Sequence, residues 1–266
     1  MERVREFKPR AGRITHVELS NERQVREVLA NSQFFSREYP RDLPMFIGHG
    51  GKVMRYTIND RPAAFLAYIG LSNLLRLSED RKMLERDSPL HILASNPSLL
   101  RDVMRDYPKI PPERMIYTHG IINVGSKTAG GAGESMLGVY HELASYPQKQ
   151  PGLFFGFIAS TQRPNVQSLR MALRQGYVID SHAEVRPAGW AREEKPELVL
   201  RVVRPPVPIH TTAETKKLSV VGNASALFYA KAKRLLSDGF VGVGYDKKIR
   251  MVIFKKRTEA RPKTAG

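Results

Sequence analysis

The most constraining feature of this sequence is a glycine-rich loop between a strand-like segment and a helix-like segment. The strand-like segment is Met115 to Val124, and the helical pattern runs from Glu134 to Ser145 with apolar residues three and four positions apart. Between them lies Gly125-Ser126-Lys127-Thr128-Ala129-Gly130-Gly131-Ala132-Gly133. Such a loop lets backbone N–H groups approach an anion closely, at the positive end of the helix dipole. The stretch is typical of an anion site, and also of a plain connection between a strand and a helix.

The spacing of the glycines excludes two familiar phosphate-binding motifs. The sequence has no G-x-x-x-x-G-K-[ST], and Gly130, Gly131 and Gly133 do not form G-x-G-x-x-G. The segment that follows therefore has to decide between a site and a connection. It contains a second strand-like run, Leu153 to Thr161, and a short helical pattern that begins after Asn165.

The segment from Asn165 to Gly176-Tyr177 resembles the second signature of the GNAT acyltransferase superfamily, in which an asparagine precedes a short helix ending in glycine and an aromatic residue. The glycine loop resembles the family's acyl-CoA pyrophosphate loop, [RQ]-x-x-G-x-[GA], in two registers. The register from Lys127 to Ala132 keeps a basic first residue. The register from Thr128 to Gly133 places Glu134 in the first turn of the helix. Both registers stay open.

The resemblance implies an α/β fold with a mixed, mostly antiparallel central sheet flanked by helices over residues 13–205. In the family, the strands that here carry Val124 and Phe157 are parallel neighbours. Residues 71–112 exceed what the family core needs and are expected to be an insertion. The remaining divisions are a basic N-terminal tail over 1–12, a basic C-terminal helix-hairpin segment over 209–256 and a basic tail over 257–266.

Hydrophobic periodicity predicts the other elements of the chain. Strands are expected at 13–19, 52–58, 62–69, 178–185 and 197–203, and helices at 71–84 and 97–107. Residues 36–51, which contain two prolines and three glycines, are expected to be irregular, and 89–94 form a short apolar run. Residues 223–240 repeat the pattern of an asparagine-headed helix that ends in Gly-aromatic, which is consistent with a partial duplication or with convergent packing.

The resemblance implies acetyl-CoA as the acyl donor. Backbone N–H groups at the start of the helix would face the pyrophosphate, the backbone of Asn123 and Val124 would pair with the pantetheine amides, and Lys127 would add a cation. Asn165 would contact the pantetheine arm. The expected cofactor-binding residues are Asn123, Val124, Lys127, Thr128, Gly130, Gly131, Ala132, Gly133, Glu134, Ser135 and Asn165.

Acyl transfer needs a deprotonated amine and a proton for the departing thiolate. Many family members supply that proton from a tyrosine seven residues after the signature asparagine, but this chain has Ala172 there. Tyr140, Ser168, Tyr177 or solvent are the alternatives. His119, on the strand leading into the loop, is the expected base, because an unperturbed histidine has a pKa near 6.5. Phe46 and His49 are candidate acceptor contacts, and the sequence favours the alternative of an ordinary surface loop with an incidental histidine.

Composition restricts the classes of function. The 266 residues contain no cysteine, which excludes disulfides, zinc–thiolate sites and a cysteine nucleophile, and no metal site is expected. The formal net charge of +17 lies mainly at the ends of the chain, with +3 on residues 1–13 and +9 on residues 206–266. The first residues lack the apolar core of a secretory signal, and no run reaches the roughly 20 apolar residues of a membrane helix. A soluble, cytoplasmic protein is expected.

Two classes of function fit these features. The first is a CoA-dependent N-acyltransferase that acts on an amine. The second is a nucleic-acid-binding protein on the same scaffold with little turnover, because basic ends attract polyanions and the tyrosine position holds Ala172. A third reading combines the two, with a nucleic acid or a nucleic-acid-bound protein as the acyl acceptor. Charged tails that only maintain solubility explain the ends as well.

Overall fold

A computed structural model describes residues 13–17, 42–58, 61–80, 84, 89–123, 152–159, 166–185, 197–220 and 225–258. Within these ranges the chain forms ten β-strands and six α-helices. It divides into two compact units, one of residues 1–156 and 185–195 and one of residues 157–184 and 196–266. No helix in the described ranges is long and apolar enough to cross a bilayer.

The first unit is built on a mostly antiparallel sheet, in which the strand order is β1-β2-β3-β4-β5. Adjacent strands run antiparallel except β4 and β5, which are parallel and pair over Met115–Tyr117 and Leu153–Phe155. The elements in chain order are β1 (Arg13–Val17), α1 (Asp42–Gly48), β2 (Lys52–Ile58), β3 (Arg61–Gly70), α2 (Leu71–Glu79), α3 (Pro89–Ser95), α4 (Pro97–Asp106), a 3-10 turn (Pro112–Arg114), β4 (Met115–Asn123) and β5 (Leu153–Ala159).

Apolar residues at helical spacing explain why the helices of this unit pack. In α2 the buried side chains are Leu71, Leu74 and Leu77, which lie on one face because they recur every three residues. In α4 the buried set is Leu99, Leu100 and Val103, and Pro97 occupies the first turn, where the missing N–H costs nothing. The opposite faces carry the charged residues, so each helix presents one apolar stripe to the core.

The second unit contains a sheet with the strand order β7-β6-β9-β10-β8. Its strands β9 and β10 form an antiparallel hairpin, and β8 completes the edge by pairing antiparallel with β10. The elements are α5 (Val166–Arg174), β6 (Val178–Val185), β7 (Glu197–Arg204), β8 (Thr211–Ser219), α6 (Ser225–Ser237), β9 (Phe240–Asp246) and β10 (Met251–Arg257).

Both helices of the second unit end in the same way. Gly176 follows α5 with φ 81°, and Gly239 follows α6 with φ 82°. A left-handed residue at this position lets the next N–H groups reach back to helical carbonyls, which favours glycine. After α5, the N–H of Tyr177 donates to the Ala172 carbonyl at 3.0 Å. An aromatic residue follows each glycine: Tyr177 directly precedes β6 and Phe240 is the first residue of β9, and both are buried.

A buried ion pair joins two strands of this unit. The guanidinium of Arg201 on β7 donates two hydrogen bonds to the carboxylate of Asp180 on β6, at 2.9 and 2.8 Å. The carbonyl of Asp180 also accepts a hydrogen bond from Arg257 at 3.2 Å. A buried charge is stable only while it is paired, so the ion pair holds β6 to β7. The hydrogen bond from Arg257 joins β6 to β10.

The predicted fold class, a mixed and mostly antiparallel sheet with helices, is confirmed, as are the neighbouring parallel strands β4 and β5. Two local predictions were wrong. Residues 42–48 form α1 rather than an irregular segment, and the helix that starts at Leu71 ends at Glu79 rather than at Leu84. The apolar run at 89–94, to which no element was assigned, lies in α3. The expectation also missed β8, whose polar residues are exposed on both faces and therefore lack alternation. The predicted division of the chain between the core over 13–205 and the segment over 209–256 stays a prediction.

Candidate active site

A β-bulge interrupts the pairing of β4 with β3 in the first unit. Pairing with β3 passes from Thr118 opposite Tyr68 to Gly120 opposite Ala67, so His119 is the additional residue. A bulge bends its strand and redirects the side chain that it carries, and such irregularities are common beside active sites. His119 is therefore placed by the backbone at the one break in the β3–β4 register.

Two aromatic side chains surround the imidazole of His119. The ring centroid lies 5.7 Å from that of Phe46 on α1 and 5.7 Å from that of Tyr117 on β4. The Tyr117 hydroxyl oxygen is 3.3 Å from Nδ1 of His119. Tyr117 in turn packs against Phe155 on β5, at 5.5 Å between centroids. The imidazole therefore has ring contacts from one helix and from its own strand, and a hydrogen-bond partner at Nδ1.

The surroundings keep both polar rings neutral. Although His119 retains some exposed surface as a residue, burial of its ring lowers its pKa to about 3. Burial also raises the pKa of Tyr117 above its usual range. On the other side of the bulge, burial raises the pKa of Tyr68 to about 12. At neutral pH the site thus offers one uncharged imidazole and two uncharged phenols.

The turn after α1 fixes the position of Phe46, which is 1% exposed. Gly50 adopts φ 83°, and the N–H of Gly51 donates to the Phe46 carbonyl at 2.8 Å. A Cβ on Gly51 would lie 2.4 Å from the Phe46 ring, so only glycine leaves room for it. This close approach requires glycine at position 51. The glycines that led to the prediction of an irregular segment therefore form the turn that ends α1.

His49 connects the same turn to α2. Its Nδ1–H donates to the Met45 carbonyl at 2.9 Å, and its Nε2 lies 2.9 Å from a carboxylate oxygen of Asp80, the residue that follows α2. Both ring nitrogens thus face acceptors inside the first unit. His49 thus links α1 to the residue that follows α2. Its expected role as an acceptor contact stays a prediction.

In the second unit, α5 carries the residues of the asparagine-headed signature. Leu169, Ala172 and Leu173 are buried, which places position 172 on the core side of the helix. Tyr177, one of the alternatives for the missing acid, is 2% exposed and lies directly beyond the glycine that ends α5. Burial lowers the pKa of Arg204, and an electrostatic interaction with Tyr177 opposes this shift.

Of the predicted site residues, His119 is described in full. Asn123 is the last residue of β4, where its backbone pairs with Ala64 of β3, and Ser168 lies in the first half of α5. The side chains of these two residues lie outside the description. The remaining predictions, for Val124, Lys127, Thr128, Gly130, Gly131, Ala132, Gly133, Glu134, Ser135, Tyr140 and Asn165, also fall outside the described residues.

The sequence reasoning overlooked Tyr117 and Gly51. Tyr117 precedes His119 by two positions on a strand, and residues two apart on a strand share a face, so the spacing alone indicates a contact. Gly51 carried a weaker signal. Its role depends on the approach of the Phe46 ring, which only the folded turn reveals.

Comparison with known proteins identifies the fold. No protein-family model matches this sequence, and no curated protein matches it. Among solved structures, mosquito arylalkylamine N-acetyltransferase-like 5b is similar over 73% of this chain and 99% of its own, with 14% identity and a TM-score of 0.51. An apo mutant of agmatine N-acetyltransferase is similar over 72% and 98%, with 13% identity and a TM-score of 0.50. The chain has the fold of the GNAT acetyltransferases, and the expected resemblance is confirmed at this level.

Proposed function

We propose that this protein is a CoA-dependent N-acyltransferase that transfers an acetyl group to an amine. The observation that carries the proposal is the placement of His119 at the bulge of β4, in a GNAT fold, on the strand that runs directly toward the glycine loop. The parallel pair β4–β5 supports it, because in the family these two strands run parallel and splay apart to admit the pantetheine arm of CoA.

In the proposed reaction the neutral amine nitrogen attacks the thioester carbonyl carbon. A C–N bond forms, the C–S bond breaks, and CoA leaves as a thiolate that takes up one proton. His119 accepts the proton that the amine releases. Because burial lowers its pKa to about 3, the imidazole is a weak base, and it accepts the proton only as the C–N bond forms and the amine nitrogen becomes acidic.

The proton for the thiolate has several candidate donors. Ala172 has no proton to give and is buried. Tyr140 and Ser168 are proposed as donors together with solvent. Tyr177 is less suited, because its side chain is 2% exposed. Variants Tyr140→Phe and Ser168→Ala separate these donors. The true donor's variant lowers kcat and leaves the KM for acetyl-CoA nearly unchanged, since only the transition state needs the proton.

The acceptor is proposed to be a primary amine. Two solved structures with similar folds are named for arylalkylamines and for agmatine, both of which present an amine. The neutral, aromatic surroundings of His119 fit an acceptor that arrives uncharged at its nitrogen. A screen of amines with labelled acetyl-CoA tests this proposal, and turnover with none of them would contradict it.

Acetyl-CoA binding tests the cofactor proposal. At about 100 times Kd, a ligand stabilises the folded state by about 2.7 kcal/mol, so the melting temperature should rise. Replacing Gly131 or Gly133 by Val should abolish binding in calorimetric titration, since a branched Cβ blocks close approach of the loop backbone. Gly244→Val on β9 is the matched control, because no atom lies within 4 Å of the Cβ position there. Unchanged affinity in both loop variants would remove the loop from the site.

A second candidate function is binding of a nucleic acid through the basic C-terminal segment. The observation that favours it is the β9–β10 turn, where Lys247, Lys248 and Arg250 are exposed beside Ile249, which is 45% exposed. Such clusters bind phosphates by counterion release, so the affinity should fall steeply with salt. Changing the three cations to alanine should weaken RNA or DNA binding and flatten its salt dependence. Binding that is equal in the variant and the unchanged protein would contradict this candidate.

Truncation is a poor test of that candidate. Phe228 on α6 and Val252 and Phe254 on β10 are at most 3% exposed, so the C-terminal segment is part of the core of the second unit. A fragment of residues 1–208 is expected to lose this core and melt at a lower temperature. Loss of nucleic-acid binding by the fragment would then reflect unfolding, whereas the three-residue variant leaves the core intact.

A further inference from the structure

The hydroxyl of Tyr117 is the feature of the site that the proposed reaction does not yet use. It lies 3.3 Å from Nδ1 of His119, and the tyrosine is 3% exposed. In a neutral imidazole one nitrogen carries the proton and the other accepts one, and the partner at one nitrogen decides the role of the other. A group fixed at Nδ1 therefore decides what Nε2 is able to do.

Geometry restricts the nitrogen that takes part in proton transfer. Nδ1 faces the residue two positions earlier on the same strand, so Nε2, which is also buried, is the nitrogen left to serve an acceptor amine. If Nε2 is to accept a proton, the neutral ring must carry its own proton on Nδ1. A phenol oxygen accepts a hydrogen bond as well as it donates one, so the Tyr117 oxygen matches an Nδ1–H donor.

We infer that Tyr117 is a positioning residue for His119: its hydroxyl oxygen accepts a hydrogen bond from Nδ1–H and fixes the tautomer whose lone pair is on Nε2. This inference rests on the proposed function, which assigns proton acceptance to His119. Phe46 and Tyr117 limit rotation of the ring because both pack against it, and Phe155 supports Tyr117 from β5. Tyr117 thus acts on the amine through His119.

The tautomer can be observed directly by NMR on protein labelled with ¹⁵N-histidine, with the His119→Gln variant used to assign the signals. The expected spectrum of the unchanged protein at pH 7 has a protonated Nδ1 and an unprotonated Nε2. The Tyr117→Phe variant keeps the ring and loses the oxygen, and it should show a mixture of both tautomers. A protonated Nε2 in the unchanged protein, or one unaltered tautomer in the variant, would overturn the inference.

Kinetics supply the second readout. General-base catalysis contributes a factor of about 10² to 10⁴, and loss of its orientation is expected to lower kcat about tenfold with little change in the KM for acetyl-CoA. In the His119→Gln background, Tyr117→Phe should have no further effect, because the residue acts through the imidazole. Additive losses in the double variant would overturn the inference.

A matched control is Tyr229→Phe, which removes a buried hydroxyl from α6 in the second unit. Its kcat is expected to equal that of the unchanged protein, and melting temperatures of both tyrosine variants verify folding. The NMR result does not depend on turnover. Absence of acetyl transfer therefore contradicts the proposed function, whereas an unaltered tautomer in Tyr117→Phe contradicts the positioning role.

Discussion

Ile179 and Gly242 lie opposite each other on the antiparallel strands β6 and β9, and each follows by three residues the glycine that ends the preceding helix. The contacts around this pair are reciprocal. Arg170 on α5 lies 4.9 Å from the ring of Tyr245 on β9, and Lys233 on α6 forms an ion pair with Glu184 on β6. The helix of each helix–glycine–aromatic–strand segment thus contacts the strand of the other, and the similar sequences of the two segments have a structural counterpart.

Gly242→Ala should destabilise the second unit. A Cβ at position 242 would lie 2.8 Å from Cδ1 and 3.1 Å from Cβ of Ile179, and overpacking of this kind costs about 1–3 kcal/mol. Gly244→Ala on the same strand is the control, because its Cβ position has no atom within 4 Å. Urea denaturation measures both. Adding Ile179→Val removes Cδ1 and should recover part of the loss, and equal stability of the two alanine variants would contradict the close contact.

Gly51→Ala should displace Phe46 from His119. The Cβ would meet the Phe46 ring at 2.4 Å and the Phe46 carbonyl oxygen at 2.5 Å, and the backbone atom cannot yield cheaply. The expected results are a lower melting temperature, shifted ¹⁵N signals of His119 and reduced kcat. Gly48→Ala, three residues earlier, meets no atom within 4 Å and should leave all three unchanged. His119 signals at their original positions in Gly51→Ala would show that the turn does not control the ring.

Removal of the Asp180 carboxylate should be far more damaging than removal of an exposed ion-pair partner. Arg201 and Asp180 have side chains that are 5% and 1% exposed, and breaking such a pair leaves a buried charge at a cost of about 3–5 kcal/mol. Asp180→Ala is the variant. The control is Arg105→Ala, whose pair with Asp102 is 70% and 40% exposed, and such pairs contribute about 1 kcal/mol or less. Chemical denaturation that finds similar losses for both variants would refute the importance of the buried pair.

Stability should decrease on acidification partly because of His119. Its pKa is about 3 in the folded protein and near 6.5 when unfolded, so between these values the unfolded chain binds more protons and acid favours unfolding. The contribution is complete above pH 6.5 and is lost as the pH falls toward 3. His119→Leu removes it, so its melting temperature should change less between pH 7 and pH 5.

The exposed residue His210 provides the control for this pH dependence. His210→Ala should retain the same difference in melting temperature between pH 7 and pH 5 as the unchanged protein. His182, whose pKa burial and Lys233 also lower, stays in place in both variants and contributes equally. A difference in His119→Leu as large as in the unchanged protein would mean that the imidazole is not desolvated by folding.

Local patterns in the sequence were enough to predict the strands that position the site. The alternating and apolar patterns at 52–58, 115–123 and 178–185 correspond to β2, β4 and β6. Burial of one or both faces of a strand produces such a pattern of apolar residues in the sequence. The same holds for His119, which was singled out from its place on the strand before the glycine loop. The Gly176-Tyr177 signature was recognisable because a left-handed position strongly favours glycine.

Patterns failed where the chain leaves no apolar period. The strand β8 carries polar residues that are exposed on both sides, and it is held by backbone pairing with β10, which any sequence can supply. The helix α1 contains Pro44 and ends beside Gly50 and Gly51, and these residue types are typical of loops. Pro44 is nevertheless compatible with a helix, because it lies in the first turn. Both errors arose because tertiary pairing and packing override local propensity.

By itself the sequence determined the strands and helices that have an apolar period, the glycines that end α5 and α6 and the histidine strand, because these follow from local sterics and from the period of burial. Tertiary structure alone decided what surrounds His119. The bulge that adds His119 between Thr118 and Gly120 depends on the register of β3, and the packing of Phe46 depends on a turn that is distant in sequence. Contacts between residues far apart in the chain leave no periodic signal, so the protonation of the imidazole became readable only in the folded protein.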